Sequence, residues 1–164
     1  MAIKKASNPL KTHLLLASIS LGVILVDQLS KLGIKSFLSL GESFPGDWPV
    51  RFTYVQNTGM AFGIKANPFL LVFVTSAVVV ALLVFFLRYH EFQPKLVRIA
   101  LSSILGGAVG NLIDRVNQGF VVDFIDFQVW PVFNIADSSV VVGVGLLLFF
   151  LLFHPEAKSK NQVL

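Results

Sequence analysis

The sequence predicts an all-α membrane protein: four transmembrane helices with a small extracytoplasmic, β-rich loop region. Three observations predict it. Of 164 residues, 55% are hydrophobic and 13% charged, and the mean hydropathy is +0.78, whereas soluble domains average about 25% charged residues. The apolar residues fall into four runs, each near the ~20 residues that a helix needs to cross ~30 Å of hydrocarbon. The longest polar interval carries turn formers and a short alternating pattern instead.

The spans are expected at about 14–35, 68–87, 96–114 and 138–154, with outer loops 36–67 and 115–137, in a single integral membrane domain. The first run follows Lys4, Lys5 and Lys11 and continues through Asp27 and Lys31. A basic start and an oily stretch resemble a signal peptide, but no small-x-small cleavage site follows, so an uncleaved span is expected. The second run opens with Pro68, which costs little in the first turn of a helix because its missing donor has no intrahelical partner there. The third carries Ser102, Gly106 and Gly110 at intervals of four, a stripe that lets helices approach closely in lipid. The fourth is almost wholly apolar, with Asp137 at its start. Between the first two runs, Gly41, Pro45, Gly46 and Pro49 precede Val50–Val55, whose alternation suits a half-buried strand.

The basic residues set an orientation. Eight fall on the side of the termini and the second connection: Lys4, Lys5, Lys11, Arg88, Lys95, Arg98, Lys158 and Lys160. Five fall opposite: Lys31, Lys35, Arg51, Lys65 and Arg115. Both termini are therefore expected in the cytoplasm. Seven of the nine acids then lie at or near the outer ends, while His13, His90 and His154 lie on the cytoplasmic side.

This separation narrows the chemistry. Absence of cysteine removes disulfides and thiol nucleophiles. A net charge of +4 could suit nucleic acid, but the basic residues are scattered through loops and no aromatic platform accompanies them. The helical His-Glu-x-x-His metal pattern begins at His90–Glu91 and fails at Pro94. A serine nucleophile would have only Lys31 or Lys65 as a base, with Ser30, Ser36 or Ser39. No metal or other cofactor is expected.

Carboxylates remain, and Asp114, Asp123, Asp126 and Asp137 cluster in the last third of the chain. Two carboxyls sharing a proton can activate water with the ionised member and protonate with the other. Asp123, between Val121–Val122 and Phe124–Ile125, stands where desolvation favours the acid form. Asp137 stands where a helix begins and the charged form is favoured. Structural roles compete with this: Asp137 before Ser138 and Ser139 is a natural helix N-cap, Asp114 next to Arg115 can pair within a polar turn or with another helix, Asp126 can be a solvated loop acid, and Asp27 and Lys31 are four apart on one helix face. Asn57, Asn111 and Asn134 can be turn or capping residues. These structural roles leave the shared location at one membrane face unexplained.

Five ordered blocks carry a resemblance: Asp27-Gln28-Leu29-Ser30-Lys31, Asn57-Thr58-Gly59-Met60-Ala61-Phe62, Gly106 through Arg115, Val121-Val122-Asp123-Phe124, and Phe133-Asn134-Ile135-Ala136-Asp137. Together they resemble the lipoprotein signal peptidases, or signal peptidase II, over nearly the whole chain. Ser30 stands where many members have Thr, and Met60 where Ala is common. The resemblance implies an intramembrane aspartic endopeptidase of the bacterial inner membrane, with its active site near the outer face. It would remove the signal peptide of a diacylglyceryl-modified prolipoprotein by cutting before the lipidated cysteine of the lipobox. It implies Asp123 and Asp137 as the catalytic pair, and Asn57, Gly59, Asn111, Arg115 and Asn134 as substrate-binding residues. Asp27, Lys31 and Asp114 would be supporting residues. Expected partners are that lipid-modified substrate, membrane lipid and globomycin-type inhibitors, with no nucleic acid and a monomeric enzyme. Gly106 and Gly110 would let the signal helix dock. The main rival is a proton-coupled membrane transporter using the same acids, which should place acids nearer the midplane and on both sides; a membrane scaffold would leave the Asp and Asn clusters without a task.

Overall fold

The computed structural model describes residues 9–59, 67–89 and 94–153. Met60, Lys65, His90, Glu91 and His154, and Lys4, Lys5, Lys158 and Lys160 of the orientation count, lie outside the described residues. Among the described residues four helices are long and apolar enough to cross a membrane: α1 (Pro9–Phe37), α2 (Pro68–Tyr89), α3 (Lys95–Gln118) and α4 (Ile135–Phe153). Their outward faces carry large apolar side chains, with Phe69 86% and Leu152 72% exposed. Surface of that kind is stable against lipid rather than water.

The central helix is α3, packed against α4, α1 and α2. Its glycines explain why. An added Cβ on Gly106 would lie 2.8 Å from Val23 Cβ and 2.9 Å from the Ser20 carbonyl, and one on Gly110 would lie 2.7 Å from Asp27 Oδ2. Gly107 lies against the Ala136 carbonyl of α4 in the same way. The stripe expected to receive a signal helix is thus filled by α1 from within the protein. Ser20 Oγ donates to the Ser102 carbonyl at 2.9 Å across that contact, a bond retained because lipid offers no alternative partner.

The ends of α1 and α3 and the starts of α2 and α4 carry a three-stranded antiparallel sheet: β1 (Ser43–Phe44), β2 (Arg51–Asn57) and β3 (Val121–Asp126), in that order. The alternating run after Pro49 is β2. The 115–137 interval, expected as loop throughout, contains β3 and adds a last turn to α3 and a first turn to α4. Gly119 ends α3 in the left-handed conformation (φ 78°), with its N–H on the Arg115 carbonyl, a cap that favours glycine. β2 pairs with β3 through Arg51↔Asp126 and Phe52↔Ile125, then Val55↔Asp123 to Asn57↔Val121. Between them Thr53 and Tyr54 face Phe124 alone, a bulge of one residue. Such a bulge re-aims side chains: it lets Asp123 and Asp126, three apart and so on opposite sides of β3, each find partners on β2. Leu38, Tyr54 and Val122 form the small core beneath the sheet.

Candidate active site

Asp137 is placed by the first turn of α4. Its own N–H donates to Asn134 Oδ1 at 2.9 Å, and its Oδ2 accepts the Asn134 N–H at 3.3 Å. This is a reciprocal capping box. The N-cap is therefore Asn134, and Asp137 is the third residue of the helix, where its carboxylate faces the free N–H groups and positive end of the dipole. The other Asp137 oxygen, Oδ1, accepts from Asn111 Nδ2 on α3 at 2.8 Å.

Asp123 reaches the same place from β3. It is 2% exposed and accepts from Asn57 Nδ2 at 2.9 Å and from Asn134 Nδ2 at 2.6 Å. Burial pushes its carboxyl up to about 7; the neighbouring Asp137 charge adds to the rise, while the bonds from Asn57 and Asn134 and the charge of Lys31 oppose it. The amides of Asn134 and Asn111 join the two acids, because Asn134 Nδ2 also lies 3.2 Å from Asn111 Oδ1. Asn134 is fully buried and does not line the cleft, so it supports both carboxylates from behind rather than facing a ligand as expected. Asn57 accepts the Gly59 N–H at 3.0 Å, which folds the 57–59 turn over Asp123.

Behind the pair lies a charged cluster shared by α1 and α3. Lys31 Nζ is 2.7 Å from Asp27 Oδ2, 2.8 Å from Asp114 Oδ2 and 3.0 Å from Asn111 Oδ1. Asp27 also accepts the Ala136 N–H at 2.9 Å, and Asp114 the Val122 N–H at 3.3 Å. Asp114 thus pairs with Lys31 rather than with adjacent Arg115, since residues next to each other on a helix point in different directions. Gln28, not singled out in the sequence, donates to Asp114 at 3.0 Å and to Asp27 at 3.2 Å. Through Asn111 this cluster fixes Asp137, and through the Ala136 and Val122 amides it ties the starts of α4 and β3 to the helical core.

Asp126 is not a solvated loop acid. It is 4% exposed and accepts from Arg51 and Thr53 of β2. Burial acts to raise its carboxyl, but these two bonds, the Gln128 N–H and the Arg51 charge outweigh it and hold it below its ordinary value. Asp126 is thereby kept ionised and stays out of the shared-proton chemistry open to Asp123.

Asp123, Asp137, Asn57, Gly59, Asn111 and Arg115 all line one cleft of about 950 Å³. Apart from Gln56, Thr58 and Ser138 its remaining wall is apolar, chiefly Trp130, Val132 and Phe133 after the sheet and Val140–Val142 on α4. Arg115 stands within electrostatic reach of Asp137, Asp123 and Asp114. A largely apolar cleft holding two amide-bonded carboxylates, one buried and one half-buried, suits a ligand that is part peptide and part hydrocarbon.

The family model described as signal peptidase (SPase) II matches residues 19–153. A lipoprotein signal peptidase of Halothermothrix orenii is 45% identical over 131 residues, covering 79% of this chain and 89% of its own length. One of Syntrophotalea carbinolica is 48% identical over 137 residues, covering 77% and 83%. A bacterial membrane enzyme structure obtained by the in meso method at 2.3 Å resolution superposes with a TM-score of 0.82 at 32% identity, covering 99% of this chain and all of its own.

Proposed function

The chain belongs to the signal peptidase II family, and from that premise we propose that it removes the signal peptide from diacylglyceryl-modified prolipoproteins by aspartic catalysis at Asp123 and Asp137. The observation that carries this reading is the convergence of the two carboxyls on one cleft through a shared Asn134–Asn111 bridge. In the proposed reaction Asp137, ionised at the start of α4, takes a proton from water as the water attacks the scissile carbonyl. Asp123, protonated near neutral pH, gives its proton to the developing oxyanion. The proton gained by Asp137 then goes to the leaving amine as the C–N bond breaks, and Asp123 takes back the gem-diol hydroxyl proton as the new carboxyl forms, which restores the singly protonated pair.

Asn57, Gly59, Asn111 and Arg115 are proposed to hold peptide carbonyls or lipid-linked groups, and Asn134, Asp27, Lys31 and Asp114 to hold the pair in place. The apolar wall of α4 and Trp130 would receive hydrocarbon, and globomycin-type inhibitors would occupy the same cleft. The enzyme is proposed to act as a monomer in the bacterial inner membrane, with both termini cytoplasmic and the sheet outside. The transporter reading finds no support in the family, and the acids meet at one end of the bundle rather than along a path through it.

The test compares purified wild type with Asp123→Asn and Asp137→Asn on a diacylglyceryl-modified lipobox peptide. Wild type is expected to cleave before the lipidated cysteine without added metal, and both folded variants to be slower by at least about 100-fold. Near-normal cleavage by either variant refutes the pair; inhibition by EDTA revives a metal mechanism.

A further inference from the structure

One buried carboxylate takes no part in this chemistry. Asp126 closes β3, and its Oδ2 accepts from Arg51 Nε at 2.8 Å and Thr53 Oγ1 at 2.7 Å. Its Oδ1 accepts the Gln128 N–H at 2.7 Å. Among the described residues Gln128 is the non-glycine with positive φ, 61°, and the Val129 N–H returns to the Phe127 carbonyl at 2.7 Å. Phe127–Val129 is thus a γ-turn of the rare, strained hand. The Gln128 side chain then reaches the Trp48 carbonyl at 2.7 Å, tying the turn to the β1–β2 loop. The chain leaving the turn, Trp130 to Phe133, forms one lip of the cleft. The far end of that lip is held by the Ile125↔Phe133 bridge, with Phe133 also stacked on Phe127 where β3 enters the turn.

We propose that Asp126 is a positioning residue: with Arg51 it holds the Gln128 turn in its left-handed conformation and so sets where Trp130 stands over the substrate. This rests on the peptidase reading of the cleft. A glutamine left to itself leaves that conformation, and the near end of the lip moves with it. Asp126 lies on the opposite side of β3 from Asp123, so its loss changes binding and leaves the chemical step intact.

The test measures KM and kcat for the diacylglyceryl-modified lipobox peptide, with thermal unfolding of the same full-length preparations. Asp126→Ala is expected to raise KM about tenfold, with kcat within about twofold of wild type. Glycine adopts positive φ without strain, so adding Gln128→Gly to Asp126→Ala is expected to recover part of the lost KM, the Gln128 bond to the Trp48 carbonyl being given up. Unchanged KM in Asp126→Ala, a fall in kcat as large as that in kcat/KM, or a double variant no better than the single overturns the proposal. Should Asp126→Ala not fold, Gln128→Val carries the test, because a β-branched residue resists positive φ at this exposed position while the Asp126 cluster is left whole. It is expected to raise KM at constant kcat, and wild-type KM there overturns the proposal. A wild-type enzyme that leaves the peptide uncut refutes the peptidase reading instead.

Discussion

Among single residues, burial decides what each acid can do. Asp123 sits near 7 because desolvation outweighs the bonds from Asn57 and Asn134. The singly protonated pair is therefore lost as pH rises through about 7, and kcat/KM is expected to fall on that alkaline limb. Asn57 lowers this value, so Asn57→Ala should move the limb upward in a pH–rate profile. A raised carboxyl pKa also binds its proton more tightly in the folded state. The stability it contributes is full below about pH 4 and lost as pH rises through about 7, a step that Asp123→Asn should abolish in thermal unfolding. Lys31 presents the opposite case, a fully paired buried cation. Lys31→Met leaves Asp27 and Asp114 buried without their counterion and is expected to cost about 3–5 kcal/mol in unfolding experiments. That Asp27 and Lys31 meet was legible from their spacing of four; that Asp114 pairs with another helix was one of two open readings, and that Lys31 is its partner was not legible, because spacing along one helix does not name a residue on another.

For the elements, the small-residue stripe of α3 is a packing surface. Gly110 meets Asp27, whereas nothing lies within 4 Å of a Cβ on Gly145 of α4. Gly110→Ala should therefore lower stability by about 1–3 kcal/mol through overpacking, while Gly145→Ala leaves the melting temperature at or above that of wild type. The stripe itself was legible, but its partner was not: spacing shows that a neighbour can come close, not which neighbour. β3 escaped notice for a related reason. It is buried on both faces, so Val121-Val122-Asp123-Phe124 lacks the alternation that reveals a half-exposed strand such as β2.

In the molecule as a whole, the sheet and the candidate site lie where α1 and α3 end and α2 and α4 begin, and the proposed topology, argued from the distribution of basic residues, puts that end outside. The chain has no cysteine, which makes this directly testable. Val129→Cys, 92% exposed beside the cleft, should react with a membrane-impermeant maleimide in intact spheroplasts, and Arg88→Cys at the far end of α2 only after permeabilisation. The reverse pattern would invert the topology. The sequence by itself determined the membrane class, the four apolar runs, the strand after Pro49 and the gathering of acids at one end, because composition, periodicity and charge counts are properties of short stretches. The tertiary structure decided the role of each acid. Asp123 and Asp126 stand three residues apart in similar surroundings, yet one lines the cleft above Asn134 and the other is locked to Arg51. A one-residue bulge in β2, some seventy positions away, supplies a partner to each side of β3, and pairing over that distance depends on how strands and helices meet in space rather than on any local pattern.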